Sequence, residues 1–215
     1  MKPLQVFIKL FLVVTLLNLF ACSEPSKKSG LSKEEKDQIE KDVDSFMNRT
    51  IYKTLSEKII DTTDDEDLIQ TVFDNLSKRL PEDYTKEYET VMSWNKSRQA
   101  IYMIWWLEAE VNNGGFNQYY SNSSGQYHKQ LPDALRLVGA IKFAGLAEKT
   151  NEIYKKEYEK ITKHQDGTLE GFSKSYENNP LNDQDDKFYA LYKDENLQQI
   201  QIEYIRKHKK DFVDP

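Results

Sequence analysis

The chain has 215 residues, of which 31% are charged and 12% are aromatic, and its formal net charge is −6. This composition is typical of a soluble globular protein and argues against an intrinsically disordered chain. The acidic balance also argues against a nucleic-acid-binding protein, which would carry a basic face. The length suits one domain with a small extension.

The first 21 residues have the features of an export signal. Lys2 and Lys9 precede an uncharged, mostly apolar run of 12 residues from Leu10 to Ala21. A helix that spans a bilayer needs about 20 apolar residues, so this run has instead the length of a signal-peptide core. It ends in Leu19-Phe20-Ala21-Cys22, which resembles the bacterial lipobox, with bulky Phe20 as the one departure.

Cys22 is the only cysteine, so it cannot form a disulfide within the chain. An ordinary signal peptide followed by an incidental cysteine would leave a free thiol on an exported protein. We therefore predict a lipoprotein signal peptide over residues 1–21 and lipidation of Cys22, which anchors the exported protein in a membrane of the cell envelope. The residue after Cys22 is Ser23 and not Asp. An Asp there would oppose transfer of the lipoprotein to the outer membrane, so Ser23 favours the outer membrane in bacteria that have two membranes.

Residues 22–31 are polar and are predicted to form a flexible tether between the lipid and the folded part of the protein. Removal of residues 1–21 takes away two lysines and no acidic residue. The mature chain then has 28 basic residues against 36 acidic ones, a net charge of −8.

From Ser32 onward, the spacing of apolar residues predicts helices. Ser32 with Glu35 three residues later is a capping box, and it opens a helix that extends to about Ile60. Thr63 with Glu66 is a second pair of this kind. The acidic residues around it also suit the positive end of a helix dipole.

The segment 97–111 has almost no polar face between Ile101 and Leu107. A helix that is apolar on all sides is buried, so this segment is predicted to be the central helix of the core. The run Asn112-Asn113-Gly114-Gly115 is predicted to stop it, because glycine permits the left-handed turn that ends a helix. Before it, a third helix is expected after Pro81, around Tyr88.

After the central helix, Pro132 is predicted to be the first residue of a helix, since proline is favoured there. A further helix is expected over about 146–163, a loop over 164–184, and the last helices around Phe188 and Ile200. No alternating strand pattern flanked by turns is found. The predicted fold class is therefore all-α: a compact multi-helix globular domain with a buried central helix (about 97–111) and an N-terminal helical extension.

No set of residues with catalytic or metal-binding spacing is evident. His128, His164 and His208 are far apart, and no pair of them has the helical spacing of a metal site. The chain also lacks a nucleophile elbow and a phosphate-binding glycine loop. We therefore predict no catalytic residue, no metal and no cofactor.

Two groups of carboxylates are candidate catalytic or metal sites. Glu108 and Glu110 are two residues apart, so on a regular helix they point in nearly opposite directions and cannot address one substrate atom. We expect one of them to brace the Asn-Gly-Gly segment and the other to be solvated. Asp183, Asp185 and Asp186 lack the glycine and distal glutamate of a calcium loop and are expected at a helix N-terminus.

The run from Leu107 to Gly125, which includes Glu110-Val111-Asn112-Asn113-Gly114-Gly115-Phe116, resembles the signature of the bacterial DNA-mimic protein family. Three later elements follow in the family's order. Ala134-Leu135 with Val138-Gly139-Ala140 resembles its next helix, Asp186-Lys187-Phe188-Tyr189 its Asp-x-x-Phe-Tyr element, and Tyr204-Ile205-Arg206-Lys207-His208 its last helix. The resemblance covers about residues 91–213 and leaves 32–90 as an N-terminal helical region.

The resemblance implies an all-helical domain that binds proteins, catalyses nothing and is in some cases a homodimer. It also implies a set of signature residues with structural roles: Glu110, Asn112, Asn113, Gly114, Gly115, Phe116, Gln118, Tyr119, Asn122 and Gly125. The family's named activity is imitation of DNA by surface carboxylates. The densest acidic run, which is the candidate binding patch, comprises Asp61, Asp64, Asp65, Glu66 and Asp67.

DNA mimicry requires carboxylates spaced like phosphates over an extended face and a strongly negative field. The mature net charge is only −8, and export would separate the protein from transcription factors. We therefore predict a lipid-anchored, non-catalytic protein-interaction module of the cell envelope, with a protein partner that the sequence does not identify and no nucleic acid. Two alternatives remain: an acidic DNA mimic that inhibits a DNA-binding protein, and an enzyme that uses the Glu108/Asn112 region through a buried pocket reaching His128.

Overall fold

A computed structural model describes residues 32–214. The predicted signal peptide, Cys22 and the tether up to residue 31 lie outside the described residues. The chain divides into two compact units, residues 1–51 and 52–215, and each is taken by itself.

The described part of the first unit is the helix α1, Lys33–Met47. Its start confirms the predicted capping box: the Ser32 hydroxyl accepts a hydrogen bond from the amide of Glu35, whose carboxylate accepts one from the amide of Ser32. The prediction that this helix extends to about Ile60 is wrong. The Asn48 side chain donates to the carbonyl of Asp44 at 2.9 Å and caps the helix end.

The described residues of the second unit form helices, turns and loops without a strand, which confirms the all-α fold class. Its ten α-helices, α2 to α11, are Glu57–Thr62, Asp65–Ser77, Glu87–Ser93, Lys96–Ser121, Leu131–Val138, Ile141–Lys156, Tyr158–Thr162, Leu169–Lys174, Asn182–Leu191 and Leu197–Lys207. Short 3-10 turns lie at Tyr84–Lys86, Ser123–Tyr127 and Lys209–Asp211. Within residues 32–214, none of the helices combines the length and the apolar character that crossing a bilayer requires.

The second predicted capping box does not form. Helix α3 begins at Asp65 with Asp64 at its N-cap, and the Asp64 side chain makes no capping hydrogen bond. The Thr63 hydroxyl instead donates to the carbonyl of Ile59 in the preceding helix, at 2.7 Å. The acidic residues Asp65, Glu66 and Asp67 do occupy the first turn of α3, where the helix dipole favours negative charge.

The core is organised around α5, which is the predicted central helix. The side chains of its first half are almost wholly buried, including Ile101, Ile104, Leu107 and Val111. Helices α3, α6 and α10 pack against it. The helix begins where predicted, with the Asn95 side chain accepting from the amide of Arg98 at 2.9 Å.

After α5, one predicted helix start is confirmed and two predicted boundaries are wrong. Pro132 lies in the first turn of α6, as predicted, and this helix ends at Gly139 with φ of 99°. The single helix expected over 146–163 is instead α7 followed by the short α8, and the loop expected over 164–184 contains α9. The side chain of Thr168 caps α9 by accepting from the amide of Gly171, a capping signal in a region that otherwise resembles a loop.

Candidate functional site

The signature segment forms a kink in the middle of α5. Gly114 has φ of −154° and ψ of 29°, and Gly115 has φ of 68° and ψ of −174°, so neither is helical. The Gly115 conformation lies in a region that only glycine adopts readily. The glycines were expected to end the helix; the helical path instead resumes at Phe116 and continues to Ser121.

Side chains from the C-terminal half of the unit bind the backbone groups that the kink leaves open. The hydroxyl of Tyr189 donates to the carbonyl of Val111 and that of Tyr176 to the carbonyl of Gly114, each at 2.8 Å. On the far side of the kink, the amide of Phe116 donates to the Asp185 carboxylate at 2.7 Å. Buried backbone groups need such partners, so these contacts stabilise the break in the helix.

The Asp-x-x-Phe-Tyr element of α10 starts at Asp185, one residue earlier than the sequence comparison placed it. Asp185 binds the kink, whereas the neighbouring Asp186 is exposed. Burial raises the pKa of Asp185 to about 6, and the hydrogen bond from Phe116 opposes this shift. The phenylalanine of the element, Phe188, is fully buried against the ring of Phe116.

Glu110 braces the segment that follows the kink, which confirms the expected role of one of the two glutamates. Its carboxylate accepts from Gln118 at 2.7 Å, from Asn122 at 2.8 Å and from the hydroxyl of Ser124 at 3.1 Å. The Asn113 side chain in turn donates to the side-chain oxygen of Gln118, Oε1. One buried carboxylate thus joins the second half of α5 to the 3-10 turn after it.

Glu108 was expected to be solvated if Glu110 formed the brace, and this expectation is wrong. Glu108 is 1% exposed. Its carboxylate accepts from the Tyr192 hydroxyl at 2.6 Å and from the Gln201 amide at 2.8 Å. Asn112 donates to the Glu108 backbone carbonyl at 2.7 Å. The two glutamates do point to different surroundings, as their spacing predicted.

The other signature residues pack or permit close packing. Tyr119 is 1% exposed, and a Cβ atom on Gly125 would lie 2.8 Å from its backbone oxygen. Asn117 also lies in the signature run, directly after Phe116; it is fully buried and joins three segments. Its amide donates to the Ser175 hydroxyl and its oxygen accepts from Asn179. A polar residue inside an apolar helical segment was the signal for this role.

The candidate acidic patch lies at the end of α2 and the start of α3, and all five of its residues are exposed. Two of them are bound by basic residues of the C-terminal segment: Lys209 donates to Asp61 at 2.7 Å and Arg206 to Asp65 at 2.5 Å. The remaining three, Asp64, Glu66 and Asp67, form no ion pair with another described residue. The patch is therefore partly neutralised within the protein.

The described residues contain no group of three or more His, Cys, Asp or Glu side chains placed to hold a metal ion. His128 binds the carbonyl of Gly125 through Nδ1 at 2.8 Å. A surface groove of about 510 Å³ lies between α7, α8 and the start of α10, and its lining does not include His128, Glu108 or Glu110.

The fold and this site define an all-helical protein whose central helix is broken at two glycines and clamped by side chains. A family model described as DMP19-like protein matches residues 92–208, which is more than half of the chain. The chain therefore belongs to this family of DNA-mimic proteins, in agreement with the resemblance recognised over residues 91–213. No curated protein and no solved structure matches the chain.

Proposed function

We propose that the protein is a lipid-anchored, non-catalytic protein-interaction module of the bacterial cell envelope. The observation that carries this proposal is the lipobox Leu19-Phe20-Ala21-Cys22 behind a short apolar segment, in a chain with one cysteine. Two or more acyl chains on Cys22 hold the protein at the membrane, since each buried methylene contributes about 0.8 kcal/mol. Residues 22–31 separate the helical domain from the lipid.

The arrangement of the signature carboxylates supports a non-catalytic role. Glu108 and Glu110 are both buried and fully engaged with neutral donors of the fold. Asp185 binds a backbone amide. A general acid or base must reach a reacting group of a substrate, and these carboxylates are directed into the protein instead. Membership of a DNA-mimic family, whose proteins act by binding other proteins, points the same way.

The acidic patch is the surface that we propose for the partner. The exposed carboxylates of Asp64, Glu66 and Asp67 suit a basic protein surface, and opposite charge speeds the encounter of two proteins. Family membership favours a second candidate, an acidic DNA mimic that inhibits a DNA-binding protein.

The distribution of charge favours the first candidate over DNA mimicry. Basic residues accompany the acidic ones over the described surface, as in the pairs Arg206–Asp65, Lys142–Asp194 and Lys174–Glu170. Such pairing weakens the extended negative field on which imitation of a phosphate backbone depends.

Photocrosslinking in intact cells tests the choice between the two candidates. A photoreactive amino acid is placed at Asp64 or Glu66 of the full-length protein, and at exposed Glu170 as the matched control on another surface. We expect a crosslink to an envelope protein from the two patch positions and not from the control. A crosslink to a cytoplasmic DNA-binding protein would establish the acidic DNA mimic. If neither patch position gave a crosslink, the proposed role of the patch would be overturned.

A further inference from the structure

Glu108 lies at a junction of three helices and carries a buried carboxyl group there. It stands in the first half of α5, while Tyr192 follows directly after α10 and Gln201 lies within α11. The carboxyl oxygens accept separately from these two partners, Oε1 from Tyr192 and Oε2 from Gln201. This one side chain therefore connects the central helix to both C-terminal helices.

Among the described residues, no ion pair includes Glu108, and the groups that face it are neutral. From α10 it meets the Tyr192 hydroxyl, whose pKa burial and the Glu108 carboxyl raise well above its ordinary value. From α11 it meets the Gln201 amide, and the next basic residue of that helix, Arg206, is bound to Asp65.

Neither of the other charged groups nearby compensates a negative charge on Glu108. On α5 itself, Glu110 is bound on another side by Gln118, Asn122 and Ser124. From α7, whose Phe143 packs on the Tyr192 ring, Lys142 is paired with Asp194. A buried carboxylate without a cationic partner is costly, so the neutral acid is favoured.

The amide of Gln201 gives an independent sign of a proton at this junction. Its Nε2 atom donates to Glu108 at 2.8 Å and more distantly to the carbonyl of Leu197 at 3.3 Å. Its oxygen, Oε1, is buried and has no hydrogen-bond partner within residues 32–214. A protonated Glu108 carries an O–H group that can donate to this oxygen after a small rotation of the amide, whereas a carboxylate has nothing to donate.

We propose that Glu108 is a proton-operated latch: its neutral carboxyl group, hydrogen-bonded to Tyr192 and Gln201, holds α11 and the end of α10 against α5, and loss of the proton loosens them. The inference goes beyond the proposed anchoring and partner binding and does not depend on either. It makes the attachment of the C-terminal helices respond to the surrounding pH.

The direction of the pH effect follows from the proton affinity of the folded state. Burial raises the pKa of Glu108 from its ordinary value of 4.5 to about 7, against the opposing hydrogen bonds from Tyr192 and Gln201. The folded protein therefore binds this proton more tightly than the unfolded chain does. The resulting stabilisation is complete below about pH 4.5 and is lost as the pH rises through about 7.

The substitution Glu108→Gln tests the latch, because glutamine has the shape of the neutral acid and cannot ionise. Its amide can donate to Gln201 Oε1 and its oxygen can accept from Tyr192. Equilibrium urea unfolding of the purified mature protein is measured from pH 5 to pH 9 for the wild type and the variant. Between pH 5 and pH 9 the wild-type unfolding constant is expected to rise by about 75-fold relative to that of the variant, and by tenfold per pH unit at most.

Glu110→Gln is the matched control, two residues away on the same helix. All three partners donate to Glu110, and a glutamine keeps only one of its two accepting oxygens, so the amide variant loses acceptor capacity for these donors. This variant is expected to be less stable than the wild type across the range. The latch is overturned if Glu108→Gln follows the wild-type pH curve in parallel, or if it is destabilised by a similar factor at every pH.

Amide hydrogen exchange locates the loosening and remains informative if the stability curves are complicated by other titrating groups. Wild type and Glu108→Gln are compared at the same pH, so that the intrinsic dependence of exchange on pH cancels. At pH 8 we expect faster exchange in residues 192–205 of the wild type and equal exchange in α3. Equal exchange in residues 192–205 would contradict the proposal.

Discussion

Replacing Gly115 with alanine is expected to lower the free energy of unfolding by about 3–5 kcal/mol. The backbone there has φ of 68° and ψ of −174°, a conformation that strains any residue with a Cβ atom. The new Cβ would also lie 2.2 Å from a carboxylate oxygen of Asp185. The carboxylate must move, and the amide of Phe116 then loses its charged acceptor. Urea unfolding followed by far-UV circular dichroism measures the loss.

Gly145→Ala is the matched control. Gly145 lies within α7, and a Cβ atom there would meet no other atom within 4 Å. Alanine favours a helix over glycine, so this variant is expected to be more stable by about 0.5–1 kcal/mol. The same substitution thus has opposite signs at the two positions. A loss below about 1 kcal/mol for Gly115→Ala would mean that the kink is not held as described.

Replacing Glu110 with alanine is expected to lower the free energy of unfolding by about 3–4 kcal/mol. The change removes the acceptor of three donors, and the buried hydroxyl of Ser124 keeps only a longer hydrogen bond, to the carbonyl of Tyr119 at 3.3 Å. Thermal and urea unfolding both measure the effect.

Glu152→Ala provides the comparison for Glu110→Ala. The Glu152 side chain is 72% exposed, and its ion pair with Lys149 lies at the surface. Exposed pairs contribute little, so a change within about 0.5 kcal/mol is expected. If Glu110→Ala were as mild as this surface variant, the carboxylate would not be the brace between the two halves of the segment.

Local signals in the sequence predicted much of the helical framework. The Ser32–Glu35 capping box, the apolar central helix and Pro132 at a helix start depend on neighbours within a few residues, and all three are confirmed. The Thr63 prediction was wrong because a competing local partner, the carbonyl of Ile59, takes the hydroxyl. Short-range patterns cannot rank two such partners.

The contacts that make the site could not be read from local patterns. Glu108 meets Tyr192 and Gln201 across 84 and 93 residues of sequence, so its burial appears only once α10 and α11 are packed. The spacing of Glu108 and Glu110 correctly predicted that the two side chains point in different directions, but it did not indicate what surrounds either of them. The kink is a similar case, because the two glycines allow a helix end as readily as a break that other side chains hold together.

The most direct test of the proposed function is metabolic labelling of cells with radioactive palmitate, comparing the full-length wild type with Cys22→Ser. We expect label in the wild-type protein, which fractionates with membranes, and an unlabelled Cys22→Ser variant that does not. If Cys22→Ser loses the label but keeps the helical circular dichroism spectrum of the wild type, the loss comes from the missing lipid anchor and not from unfolding. An unlabelled wild-type protein in the cytoplasmic fraction would contradict the proposed anchoring and leave the acidic DNA mimic as the better account.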